Sequence, residues 1–185
     1  RFSHEYFVRY QRSIFFRFFG MGPDTYHTAE TSHTRIKSYV FLREGFNITK
    51  YLNLGALVSL QREQVQSHHV EGLPSTESIF PKTPGMHGAT IAGESLDLRY
   101  DSRPYGDNST YGNFLQFTAG ARQGVKNSPA HGVFELQAKT LIPQNDRFHS
   151  AIRFYGRSVT SAKVPFYFQS QLGGAYVMRG FTDER

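Results

Sequence analysis

Along most of this 185-residue chain, apolar residues recur at every second position, the period that gives an extended strand one apolar and one polar face. Phe134, Leu136 and Ala138 alternate with Glu135, Gln137 and Lys139, and Ile152 and Phe154 oppose Arg153, Tyr155 and Arg157. Leu54, Ala56, Val58 and Leu60 oppose Asn53, Ser59 and Gln61, while Ile36, Val40 and Leu42 oppose Arg35, Lys37 and Arg43. The pattern predicts an all-β chain with strands near 5–19, 27–43, 51–66, 88–100, 112–122, 132–141 and 147–158.

A β-sandwich shows the same alternation, so the character of the polar faces has to decide between a dry centre and a wet one. Large charged groups stand in mid-strand at Arg17, Lys37, Glu94 and Arg153, and several strands exceed the usual five or six residues. Long strands with charges on one face suit an antiparallel barrel around a watery lumen. The connections Gly20–Tyr26, Glu44–Lys50, Ser67–His87, Asp101–Tyr111, Gln123–His131 and Ile142–Asp146 imperfectly alternate between the two ends in length. Membrane barrels set short turns on one side and longer loops on the other, so the seventh strand runs outward and Ser158–Arg185 follows it as an outer loop. Similar strands flank the Pro/Gly-rich stretch Gly72–Gly88, which makes it a long loop within a single domain, 1–185.

Composition is compatible with this reading. Phe and Tyr supply every aromatic residue, and the absence of cysteine removes disulfide and zinc-thiolate chemistry. A mean hydropathy of −0.48 argues against a helical membrane protein. Barrels escape that test, because a strand crosses in about 9–11 residues and shows lipid only alternate side chains. The net charge of +6 fits a basic lumen, a surface near anionic lipid or a nucleic-acid partner, and no nucleic-acid motif accompanies it. The chain opens at Arg1 without a methionine or a charged-then-apolar leader, so any signal peptide is expected to have been removed or to lie outside it, and export is an expectation only.

Motifs for covalent chemistry are missing. No Gly-x-Ser-x-Gly elbow positions a nucleophile, and Gly120-Ala121-Arg122-Gln123-Gly124 lacks the lysine-hydroxyl ending of a phosphate loop. Adjacent His68 and His69 point to opposite faces if extended, with no ligand-spaced partner. The expectation is a chain with no catalytic residue, no metal site and no cofactor. Phe15, Phe16, Phe18 and Phe19 suit either an interfacial girdle or a core.

Three motifs carry a resemblance. Leu172-Gly173-Gly174-Ala175-Tyr176-Val177-Met178-Arg179-Gly180-Phe181, after the seventh strand, resembles the Arg-Gly-Phe/Tyr loop of the BamA/TamA-type outer-membrane assembly superfamily, the bacterial surface antigen family. Phe19-Gly20-Met21-Gly22-Pro23-Asp24-Thr25 is similar to an aromatic-Gly-x-Gly joint of its barrels. Leu98-Arg99-Tyr100-Asp101-Ser102-Arg103-Pro104 is similar to their Asp-x-Arg turn, in which Asp101 would satisfy turn amides. The resemblance implies an antiparallel transmembrane β-barrel in the bacterial outer membrane, with the loop 159–185 folded into the lumen. There Arg179 would need an acidic partner from a later strand, with Phe181 beside it. Such barrels have sixteen strands, so about seven strands plus this loop imply a partial barrel whose remaining strands lie outside the chain. The implied activity is insertion or translocation of polypeptides at the outer membrane without covalent chemistry. Its partners would be outer-membrane lipid and client polypeptides or other envelope proteins, with no nucleic acid. A two-partner secretion transporter and a lipase-fused barrel share the loop. A soluble aromatic-rich β-domain that binds carbohydrate is the alternative of a different class.

Overall fold

The computed structural model describes residues 1–20, 30–67, 72–145 and 148–170. Seven strands form one antiparallel sheet in chain order: β1 (Phe2–Phe18), β2 (Thr31–Asn47), β3 (Leu52–Ser67), β4 (Ala89–Asp101), β5 (Gly112–Lys126), β6 (His131–Pro143) and β7 (His149–Val159). Each strand pairs with its sequence neighbours, and the sheet curls into an open half-barrel. β1 and β7 are its edges, each paired on one side only among the described residues. Among the described residues helix is confined to one four-residue turn, α1 (Thr76–Ile79), and two short 3₁₀ turns.

Register settles which residues share a face. Tyr6, Leu42 and Val58 follow one another across β1, β2 and β3, while Leu54, Leu98, Phe117 and Leu136 follow across β3 to β6. All lie on the convex side. The concave side receives Arg43, Gly55 and Asp97 in one region and Lys37, Glu63 and Ala89 in another. The four alternations read from the sequence therefore fall as expected, apolar outward and polar inward.

Two of the mid-strand charges do not. Glu94 pairs with Val58 and Ala121 and so stands among the convex residues. The cause is a change of apolar parity within β4. Its upper residues Ala89 and Ile91 turn inward, both under 5% exposed, whereas Leu96 and Leu98 turn outward. Arg17 pairs with Ser32 on the same side as Glu94, after a bulge between Ser13 and Phe16 shifts the register of β1. It bonds Glu30 at 2.9 Å.

One end of the concave side is closed by a small apolar core. Phe18, Met86, Ala89, Ile91, Val164, Phe166, Tyr167 and Phe168 pack together, with Phe80, Val65 and Val159 against them. These come from strand ends, from the β3–β4 connection and from the segment after β7. Phe18 meets Phe166 at 4.8 Å between ring centroids and Phe80 edge-on at 5.3 Å, offset and edge arrangements that aromatic rings favour. Phe18 and Phe19 are buried, which puts both in the core and not in an interfacial girdle. The β3–β4 connection is pinned by Ser75, which caps α1, and by a bridge from Ser75 to Ser32.

Candidate functional site

The concave wall holds charge where a soluble sheet would hold its apolar core. Arg43, 2% exposed, donates from Nε to Asp97 Oδ1 at 2.7 Å and from Nη2 to Asp97 Oδ2 at 2.8 Å, a two-point match of guanidinium to carboxylate. Its Nη1 reaches Glu5 at 3.2 Å, its Nη2 also meets Asn53 Oδ1, and Arg99 reaches the same Glu5 oxygen at 3.3 Å. The ion pair crosses β3 at Gly55, where a Cβ would stand 2.4 Å from Arg43 Nη2 and 2.5 Å from Asp97 Oδ1. A side chain there would have to displace the ion pair, and glycine lets the guanidinium lie across the strand.

Nearer the aromatic core a second buried pair forms. Arg35 Nε donates to Glu63 Oε2 at 2.8 Å, and Gln61 Nε2 donates to Glu63 Oε1 at 2.8 Å. The Arg35 guanidinium also lies 5.2 Å from the Phe16 ring centroid and 5.5 Å from that of Tyr167. Tyr167 belongs to the segment after β7, so that segment turns back over the concave face as far as residue 170. Arg157 Nη2 bonds Phe168 O at 3.4 Å, and Ser170 Oγ donates to Arg157 O at 3.0 Å. Burial raises the Tyr167 phenol above its ordinary range, with Glu63 adding to the shift.

Beneath this cap lies a hollow of about 390 Å³. Arg35, Lys37, Arg122 and Arg157 line it together with Glu135, and Tyr39, Ser59 and Thr118 contribute hydroxyls. No group of three or more His, Asp or Glu suited to a metal ion occurs among the described residues.

The convex face has the opposite character. Val58 is 57% exposed, Leu96 61% and Phe154 57%, whereas Glu63 on the inner wall is 1% exposed. On β3 the outward apolar positions run from Leu52 to Leu60 before Arg62 ends them. That is about 26 Å along the strand at roughly 3.3 Å per residue, or about 20 Å along a barrel axis at a tilt of about 40°. Exposed Tyr51, Tyr100, Tyr105, Tyr111 and Phe148 crowd the end of the sheet away from the aromatic core.

Of the motif residues, Asp101 and Arg103 are placed as a turn device. Asp101 accepts from Arg103 N at 3.1 Å and from Arg103 Nε and Nη2 at 2.8 Å each, so it does satisfy a turn amide. Arg103 Nη1 also meets Asp107 at 2.6 Å, which holds the Asp107 carboxyl below the usual carboxylate range. Gly20, at φ +104°, takes the left-handed backbone that glycine permits as the chain leaves β1. Gly22, His68, His69, Gly173, Gly174, Arg179, Gly180 and Phe181 lie outside the described residues. Sequence reading missed the Arg43–Asp97 and Arg35–Glu63 pairs. The first left a signal in Gly55, a glycine inside an otherwise well-formed strand and directly under the Arg43–Asp97 contact. No family model, no curated protein and no solved structure matches the chain.

Proposed function

We propose that this half-barrel is part of a transmembrane β-barrel of the bacterial outer membrane, acting in insertion or translocation of polypeptides. The observation that carries the proposal is the inversion of burial. Charged pairs such as Arg43–Asp97 and Arg35–Glu63 are enclosed, whereas Val58, Leu96, Ile152 and Phe154 are presented outward. Water on the concave side accounts for the first and hydrocarbon on the convex side for the second. An apolar surface of this extent would otherwise demand a second layer.

In this reading the concave wall is a polar passage and the aromatic cap narrows it. The remaining strands of a sixteen-stranded barrel pair with β1 and β7, since unpaired edges cannot persist in lipid. A seam between strands that opens would offer backbone donors and acceptors to a client strand, and pairing there needs no cofactor.

The test is reconstitution of the full-length protein in phospholipid vesicles. Membership of the membrane class requires that it float with the vesicles and resist alkaline extraction. Assembly activity requires that the vesicles accelerate folding of an added unfolded barrel protein over protein-free vesicles. A protein that stays soluble and monodisperse without detergent would refute the membrane reading, and unaltered client folding would refute the assembly reading.

A further inference from the structure

We propose that the hollow on the concave wall is a binding site for a small dianionic oxyanion of the phosphate class. The site goes beyond the membrane reading and does not rest on it, because its lining comes from the concave wall and the cap alone.

Charge is the first argument. Arg35, Lys37, Arg122 and Arg157 line the hollow. With Arg35 set aside beside its partner Glu63, Lys37, Arg122 and Arg157 face one wall carboxylate, Glu135, among the described residues, an excess of two positive charges. A dianion balances that excess, whereas a single carboxylate would not.

Preorganisation is the second. Arg122 lies over Gly93, where a Cβ would stand 2.5 Å from its Cδ, and Nη1 is held by the carbonyl oxygens of Glu94 and Ala121 at 3.1 Å each. Arg157 is steadied by Phe168 O across the hollow's rim. Main-chain anchoring of both guanidinium groups lowers the entropy lost when they close on a ligand. Lys37 and the Tyr39 hydroxyl approach from β2, the Ser59 hydroxyl from β3 and the Thr118 hydroxyl from β5. Donors converging from several directions suit a tetrahedral anion better than a planar one.

The full chain is titrated at pH 8 with a phosphate monoester, phenyl phosphate, and separately with acetate, by calorimetry at fixed ionic strength. The expected result is saturable binding of phenyl phosphate at least tenfold tighter than acetate. Arg122→Gln and Arg157→Gln should each weaken it by about tenfold or more, with Arg62→Gln on the convex side leaving it unchanged. Lys37→Gln provides the same reading should an arginine variant lose its strand circular dichroism. Absence of saturable phenyl phosphate binding by the unaltered chain, or binding that survives substitution of these cations, would overturn the proposal.

Discussion

Replacing Arg43 by methionine isolates the energetics of the charged wall. The guanidinium is 2% exposed and Asp97 4% exposed, so Arg43→Met leaves a carboxylate enclosed without a cation while Glu5, 42% exposed at its side chain, remains hydrated. Removing one partner of a buried pair costs about 3–5 kcal/mol. At roughly 1.4 kcal/mol per tenfold, that raises the unfolded population by at least about a hundredfold. The double variant Arg43→Met/Asp97→Leu removes both charges and keeps similar volume. It should recover most of the loss, since apolar replacement of a whole buried pair is often close to neutral. Urea unfolding of the full chain in detergent micelles, followed by strand circular dichroism, gives all three stabilities. The expected coupling between the two positions is at least about 2 kcal/mol. A single-variant cost below about 1 kcal/mol, or a double variant as unstable as the sum of the two singles, would show that the pair is not enclosed as described.

In vesicles, Leu96→Arg in the middle of the outward band should cost about 2–4 kcal/mol, while Gln137→Arg on the inner wall should cost under about 1 kcal/mol; urea titration of both variants measures the difference. The Asp107 carboxyl is held low in the folded chain by Arg103. Its stabilisation is therefore present above the unfolded value of about 4 and disappears as pH falls through the folded value. Asp107 is 87% exposed at its side chain, and solvent screening limits the effect to under about 1 kcal/mol. Asp107→Asn should accordingly lower the urea midpoint slightly at pH 7, not at low pH and not in high salt. The buried Tyr167 hydroxyl has no hydrogen-bond partner among the described residues, so Tyr167→Phe should leave stability within about 1 kcal/mol, whereas Tyr167→Ala should cost about 3–5 kcal/mol, both read by thermal unfolding.

Alternation made the seven strands and their facing legible, because period-2 patterning reports directly on which side chains share a surface. Where it failed, tertiary packing had overridden it. Glu94 reads as an inner residue until Ala89 and Ile91 are seen to turn inward against Met86 and Val164, which reverses the apolar parity of the upper half of β4. Arg17 was misplaced by a bulge that no local residue announces. The fifth connection is shorter than Gln123–His131, since β5 extends to Lys126 and Asn127, at φ +55°, begins a tight turn. Pairing of Arg43 with Asp97 depends on register across three strands, so it was invisible to a reading of single segments. The hollow was hidden for the same reason, its cations coming from β2, β5 and β7. The Asp101–Arg103 turn was readable, being local.

Single nitroxide labels along β3, from Asn53 to Gln61, test the central claim most directly, and a chain without cysteine allows each label to be placed alone. In vesicles, relaxation by oxygen, which concentrates in hydrocarbon, should peak at positions 54, 56, 58 and 60. Relaxation by a water-soluble nickel complex should peak at 53, 57, 59 and 61, giving two period-2 curves out of phase. Convex positions shielded from both agents, or reached equally by both, would contradict an apolar outside around a polar interior.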